Sequence, residues 1–122
     1  MREFVKPRAM KTARLLLLVS LLAFSSCEMI DKECPECIRE LTREFAKRPP
    51  CESGASVGQM LFQGEYVYVF YQGSCGADMA SSVINQNCEF LENLGGFAGN
   101  TKVNGIEFSE NAVFQKYIWK QD

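Results

Sequence analysis

The run Leu15 to Phe24, LLLLVSLLAF, and the Ser25-Ser26-Cys27 that follows it decide how much of this chain is free to fold. Ahead of the run stand Arg2, Lys6, Arg8, Lys11 and Arg14 against a single acid, Glu3. The run holds ten residues, all apolar except Ser20, whereas a helix that crosses a bilayer takes about twenty. A basic start, a short apolar stretch and small residues at its end have the form of a secretory signal that is cut away. The unit left to fold is then residues 27–122, 96 residues, which suffices for one hydrophobic core and no more.

The end of the run, Ala23-Phe24-Ser25-Ser26-Cys27, resembles a bacterial lipobox, with Phe24 where leucine is usual. That resemblance implies cleavage before Cys27 and acylation of its thiol. Two or three acyl chains give stable anchoring where one is marginal. The expected division is a lipoprotein signal peptide at 1–26, an acidic tether at 27–33 starting from the lipidated cysteine, and a single small domain at 34–122. The expected location is the cell envelope, anchored at the outer membrane on its periplasmic or its outer side. Three of the six residues in Glu28 to Glu33 are acidic. This resembles the surface-export signal of some bacterial lipoproteins, and a solvated linker accounts for it equally well.

Charge and composition narrow the partners. From residue 27 onward there are eight Lys or Arg against fourteen Asp or Glu, a net of −6, where the whole chain is −2 because the leader holds the excess base. An acidic domain argues against nucleic acid, and against docking on anionic lipid through charge. Histidine is absent from the chain, which removes Ser-His-Asp and Cys-His nucleophiles and histidine-based metal sites in their usual forms. No EF-hand spacing is present, so no cofactor or metal is expected. Asp78 reads as a turn residue.

The hydrophobic pattern gives an α+β domain: one amphipathic N-terminal helix on a small antiparallel sheet of four to five strands. In residues 34–48, Cys34, Cys37, Ile38, Leu41 and Phe45 form one stripe at helical spacing. Pro35 suits the first helical position, and Pro49-Pro50 ends the helix. From Ala55 the period becomes two. Strands are expected at Ser56–Phe62, Glu65–Tyr71, Met79–Ile84 and Cys88–Leu94, with a tight turn at Gln63-Gly64. Gly95 to Gly105 reads as a long loop. Ala112 to Trp119 reads as a closing strand, with a last helix capped at Ser109 as the alternative. Tyr66, Tyr68, Phe70, Tyr71, Phe97, Phe108, Phe114, Tyr117 and Trp119 are expected to be mostly core, since a domain this small needs the burial.

Export permits disulfides, and Cys34, Cys37, Cys51, Cys75 and Cys88 follow Cys27. Five is odd, so at least one is free or joins another chain. A Cys37–Cys51 bridge would fold the helix exit back along the helix. A Cys75–Cys88 bridge would tie the GSCGAD loop to the next hairpin. Cross-pairing with Cys51 competes with both. Cys34-Pro35-Glu36-Cys37 is also a CxxC at a helix start, where a thiol pKa falls. A thioredoxin-like site follows a strand, and the seven residues Cys27 to Glu33 leave no room for one. As half of a zinc ribbon it lacks a second CxxC.

Taken in order, QGEYVYVF at Gln63, CGADM at Cys75 and GGFAGN at Gly95 resemble a domain-of-unknown-function family of short exported or lipid-anchored proteins, mostly from Bacteroidota. The resemblance covers roughly residues 37–119 and carries no activity. It implies a single exported domain. Cys34 lies outside its pattern, which makes Cys34 the candidate free thiol and Cys37, Cys51, Cys75 and Cys88 the candidate half-cystines. The expected function is a non-enzymatic binding or accessory module, held in the membrane by the acyl chains on Cys27. Its partner would be an envelope protein or a glycan, met through the loop 95–105 or a sheet face. The competing expectations are a periplasmic thiol-disulfide oxidoreductase using Cys34 and Cys37, and a disulfide-framed inhibitor of an exported hydrolase that inserts a loop such as 73–78.

Overall fold

Alternating residues make the first hairpin. A computed structural model describes residues 29–76 and 78–122; the expected signal peptide at 1–26 and Cys27 lie outside the described residues. β1 (Ser56–Phe62) and β2 (Glu65–Tyr71) pair antiparallel in full register, from Ser56 opposite Tyr71 to Phe62 opposite Glu65. Gln63 and Gly64 close them with φ of 53° and 78°, the left-handed pair that matches strand twist in a two-residue turn. β3 (Ala80–Asn85) and β4 (Phe90–Gly95) extend the meander. β7 (Val113–Lys120) returns to the free side of β1 with two register shifts, giving a five-stranded antiparallel sheet in the order β4-β3-β2-β1-β7.

The sheet is apolar on both faces because each is covered. On one, Val57, Tyr68, Phe70 and Ile118 meet Cys34 and Ile38 of the N-terminal segment. There α1 (Glu36–Lys47) sends Phe45 edge-on to Phe70 and Trp119, at ring-centroid distances of 5.5 and 6.0 Å. On the other, Phe62, Val67 and Val83 meet Val103 and Phe108. Those two come from the segment crossing between β4 and β7. It carries the short hairpin β5 (Lys102–Val103) and β6 (Ile106–Glu107) and the one-turn helix α2 (Phe108–Asn111). Gln59 and Tyr68 bury a polar pair between the strands, the Gln59 amide donating to the Tyr68 hydroxyl at 3.1 Å. A buried polar group costs little once it is bonded in this way.

Several expectations change. The helix buries Ile38 and Thr42, while Leu41 is 38% exposed. Thr42 fits inside because its hydroxyl donates to the Ile38 carbonyl at 2.7 Å, so no donor is left bare. Pro35 stands one residue outside the helix as its cap, with ψ of 145°. Residues 95–105 are not all loop: Asn104 and Gly105 turn with φ of 52° and 78° to make the β5–β6 hairpin. Five of the nine aromatics expected mostly in the core (Tyr66, Tyr71, Phe97, Phe114 and Tyr117) are 40–94% exposed.

The pairing of cysteines differs from the two bridges first considered. Cys37 joins Cys88, and Cys51 joins Cys75. The fold explains why. The β3–β4 turn lies beside the start of α1, where Cys37 also sits, whereas Cys51 and Cys75 enter and leave the β1–β2 hairpin at its open end. Gly73 permits this second closure. It has φ of 106°, and a Cβ there would lie 2.9 Å from the Ser53 carbonyl oxygen and 3.0 Å from Cys51 Cβ.

The stretch before α1 is not a free tether over its last residues. Ile30 packs against the core, and the Asp31 N–H donates to the Ile118 carbonyl on the outer edge of β7 at 2.9 Å. The Asp31 carboxylate takes Lys116 Nζ at 3.1 Å. Among the described residues no helix is long and apolar enough to cross a membrane.

Candidate functional site

Cys34, the thiol of the CxxC pattern, is free and 7% exposed. Its Sγ donates to the Asp31 carbonyl at 3.3 Å. Burial, then the nearby Asp31 charge, push its pKa above the ordinary value of 9.0. A nucleophilic thiol needs the opposite, an exposed and electropositive setting. Cys37, its partner in that pattern, is bonded to Cys88 instead. The two cysteines are therefore not a redox pair in this fold. Among the described residues no three acidic or cysteine side chains gather as a metal cluster would require.

Cys75 of the GSCGAD loop is tied to the segment around Cys51, which Gln121 holds in turn. The Cys75 N–H donates to Cys51 Sγ at 3.3 Å, and Gln121 Nε2 bonds the carbonyls of Cys51 and Glu52, each at 3.0 Å. An open depression of about 420 Å³ lies beside this bridge, between Pro50, Glu52 and Ser74. A second, more apolar groove of about 380 Å³ runs between α1 and the sheet, floored by Phe45, Phe70 and Ile84.

The most constructed feature of the surface is the turn after β4. Gly95 and Asn100 form an isolated bridge, with the Gly95 N–H donating to the Asn100 carbonyl at 2.8 Å. The Gly96 N–H donates to Met79 across the sheet edge at 3.2 Å, and the Gly99 N–H closes the tip onto the Gly96 carbonyl at 3.2 Å. Asn100 staples the base. Its amide donates to the carbonyls of Asn93 and Lys102 at 2.9 and 3.0 Å, and its side-chain oxygen accepts from the Lys102 N–H at 3.2 Å. Glycine suits position 96, where φ is 72° and a Cβ would crowd that of Ala80 at 3.2 Å.

This frame holds Phe97 outward at 94% exposure. Below the tip is an apolar depression of about 250 Å³ formed by Leu94, Gly99, Thr101 and Phe108. A large apolar side chain fully in water on a backbone fixed by hydrogen bonds loses little entropy when a partner covers it. In sequence Phe97 was counted with the core aromatics. The signal that separates it is its setting between Gly95-Gly96 and Ala98-Gly99, small residues that offer it little to pack against.

Residues 43–121 match the family described as Domain of unknown function (DUF6970). The chain belongs to the DUF6970 family. The match takes in the sheet, the Cys51–Cys75 bridge and the Phe97 turn, and begins within α1, beyond Cys34 and Cys37. No curated protein and no solved structure matches the chain.

Proposed function

We propose that this DUF6970 protein is a lipid-anchored, non-enzymatic binding module of the bacterial outer membrane that grips an envelope protein through Phe97. The single observation behind this reading is the fixed, hydrogen-bonded turn that keeps Phe97 at 94% exposure. Rigid aromatic anchors beside an apolar depression are the usual centres of binding energy at protein interfaces. The leader and Cys27 supply the anchor, and the two disulfides suit an oxidising compartment outside the cytoplasm. In this reading α1 is the amphipathic cover of one sheet face and takes no part in binding. Cys34 serves as core.

The test is site-specific photocrosslinking in the bacterium that makes the protein. A benzophenone side chain replaces Phe97 in one strain and the exposed Glu52 in another. The expected result is a discrete adduct from position 97 alone. The partner identified by mass, once purified, should bind the Phe97→Ala chain at least about tenfold more weakly than the native one, a modest loss for an anchor residue. No adduct at 97, or equal binding of the two chains, overturns the reading.

A further inference from the structure

We infer that the β7 edge of the sheet, with the exposed rings of Phe114 and Tyr117 foremost, lies on the lipid headgroups of the membrane that holds the protein. The inference rests on the acylation of Cys27 proposed above, and deepens it by assigning which side of the domain meets the bilayer.

Chain geometry sets the distance. Asp31 is fastened to β7 through its N–H bond to the Ile118 carbonyl, and through the Lys116 ion pair at 3.1 Å. Ile30 is packed in the core. Four peptide steps separate Cys27 from Asp31, and four residues span at most about 14 Å. An acylated cysteine has its sulfur at the level of the headgroups, a layer roughly 5–8 Å deep on each side of the hydrocarbon. The β7 edge is therefore held within one short step of that layer. β4, at the opposite edge, lies four strand spacings away, about 19 Å.

The chemistry of β7 fits the same neighbour. Phe114 and Tyr117 are 49% and 48% exposed, their rings 4.9 Å apart. Lys120 Nζ sits 4.7 Å from the centre of the Tyr117 ring. Met29, two residues from the anchor point, is 89% exposed. Aromatic rings with flanking lysines are the side chains that settle at a membrane interface. β7 holds two lysines and no acid, although residues 27–122 carry a net charge of −6. Where carboxylates do approach this edge, at Asp31 and Glu33, both face Lys116, at 3.1 and 3.8 Å. β7 thus presents lysines rather than carboxylates to the lipid, in a domain that is acidic as a whole. Contact through this edge also directs Phe97, on the turn following β4, away from the bilayer.

Hydroxyl-radical footprinting tests this on the native, lipidated chain in phosphatidylethanolamine–phosphatidylglycerol vesicles, against the soluble Cys27→Ser chain. Oxidation of Met29, Phe114 and Tyr117 should fall about fivefold on the vesicles, as for side chains taken into the interface. Tyr66 and Phe97 should be unchanged. A Tyr117→Trp, Trp119→Phe chain gives a second reading: its single tryptophan should be quenched by brominated lipid, while a tryptophan at Tyr66 should not. Vesicle flotation and the mass of the Cys27 peptide report the anchor separately. An unacylated Cys27 overturns the anchor reading and the inference with it. An acylated, floating protein with equal protection at Tyr66 and Tyr117 overturns the inference alone.

Discussion

The two disulfides are nested, and this makes their removal a quantitative test of the fold. Cys51–Cys75 spans 24 residues and lies inside Cys37–Cys88, which spans 51. A cross-link stabilises mainly by shrinking the unfolded ensemble, in proportion to the logarithm of loop length. On that relation the inner loop alone is worth about 3.5 kcal/mol and the outer alone about 4 kcal/mol. With the inner bridge closed, 24 of the outer loop's 51 residues are already tied. The remaining contour of about 27 residues is worth about 3.5 kcal/mol. Replacing Cys37 and Cys88 together by alanine should lower the unfolding free energy by that amount, a large share of the roughly 5–15 kcal/mol such a domain has. A urea titration followed by Trp119, the one tryptophan, should show the midpoint falling by about 2 M for a slope near 1.5 kcal/mol/M. The same pair removed from a chain lacking the inner bridge should cost slightly more, about 4 kcal/mol. A loss below about 1 kcal/mol, with Cys51–Cys75 intact by mass, would refute the chain-entropy reasoning for this fold.

Three other outcomes follow from particular contacts. Gly73→Ala should cost about 2–3 kcal/mol in the same titration, because its Cβ meets the Ser53 carbonyl oxygen at 2.9 Å in a left-handed backbone. Phe97→Ser should leave stability within about 0.5 kcal/mol of native, whereas Ile38→Ala, at 0% exposure, should cost about 3 kcal/mol. The fastening of Asp31 to β7 should depend on pH at both ends. The Glu33 N–H bond, followed by Lys116, holds the Asp31 carboxyl below its ordinary 3.8, so its contribution is complete above 3.8 and fades as pH falls beneath it. Asp31 in turn raises Lys116 above 10.5, and that contribution is complete below 10.5 and fades as pH rises past it. Melting of native and Asp31→Asn chains should differ between those limits and converge well below 3.8; a constant difference at all pH values would contradict the ion pair.

The first hairpin was legible in the sequence to the residue, because SVGQMLF and EYVYVFY alternate and flank a turn that glycine permits. The third and fourth strands were placed a residue or two early. Asn85 draws the N–H groups of Asn87 and Glu89 onto its side chain at 3.0 and 2.9 Å. This bends Cys88 to φ of 62° and delays β4 to Phe90. The β5–β6 hairpin was missed although Asn104-Gly105 is a strong turn signal, since two-residue strands leave no periodicity to find. Disulfide partners were out of reach, because spacing along the chain says nothing of which turn the start of α1 approaches. The loop 95–105 was legible as a binding element, but Phe97 within it was counted with the core aromatics; its exposure sits on a turn held by the hydrogen bonds of Asn100, which composition does not contain.

Nesting also governs what a protease can release. Any single cut between residues 37 and 88 leaves one piece carrying Cys37 and the other carrying Cys88, and the outer bridge keeps them joined. A chain clipped in the helix after Cys37, in the β1–β2 hairpin or in the β3–β4 turn before Cys88 therefore remains one covalent object. Past Cys88 this protection ends. A cut at the Phe97 turn sets loose everything from β5 onward, including the strand that fastens Asp31, with only hydrogen bonds and packing to retain it. A cut at the exposed Phe97 turn would thus detach roughly the last quarter of residues 27–122.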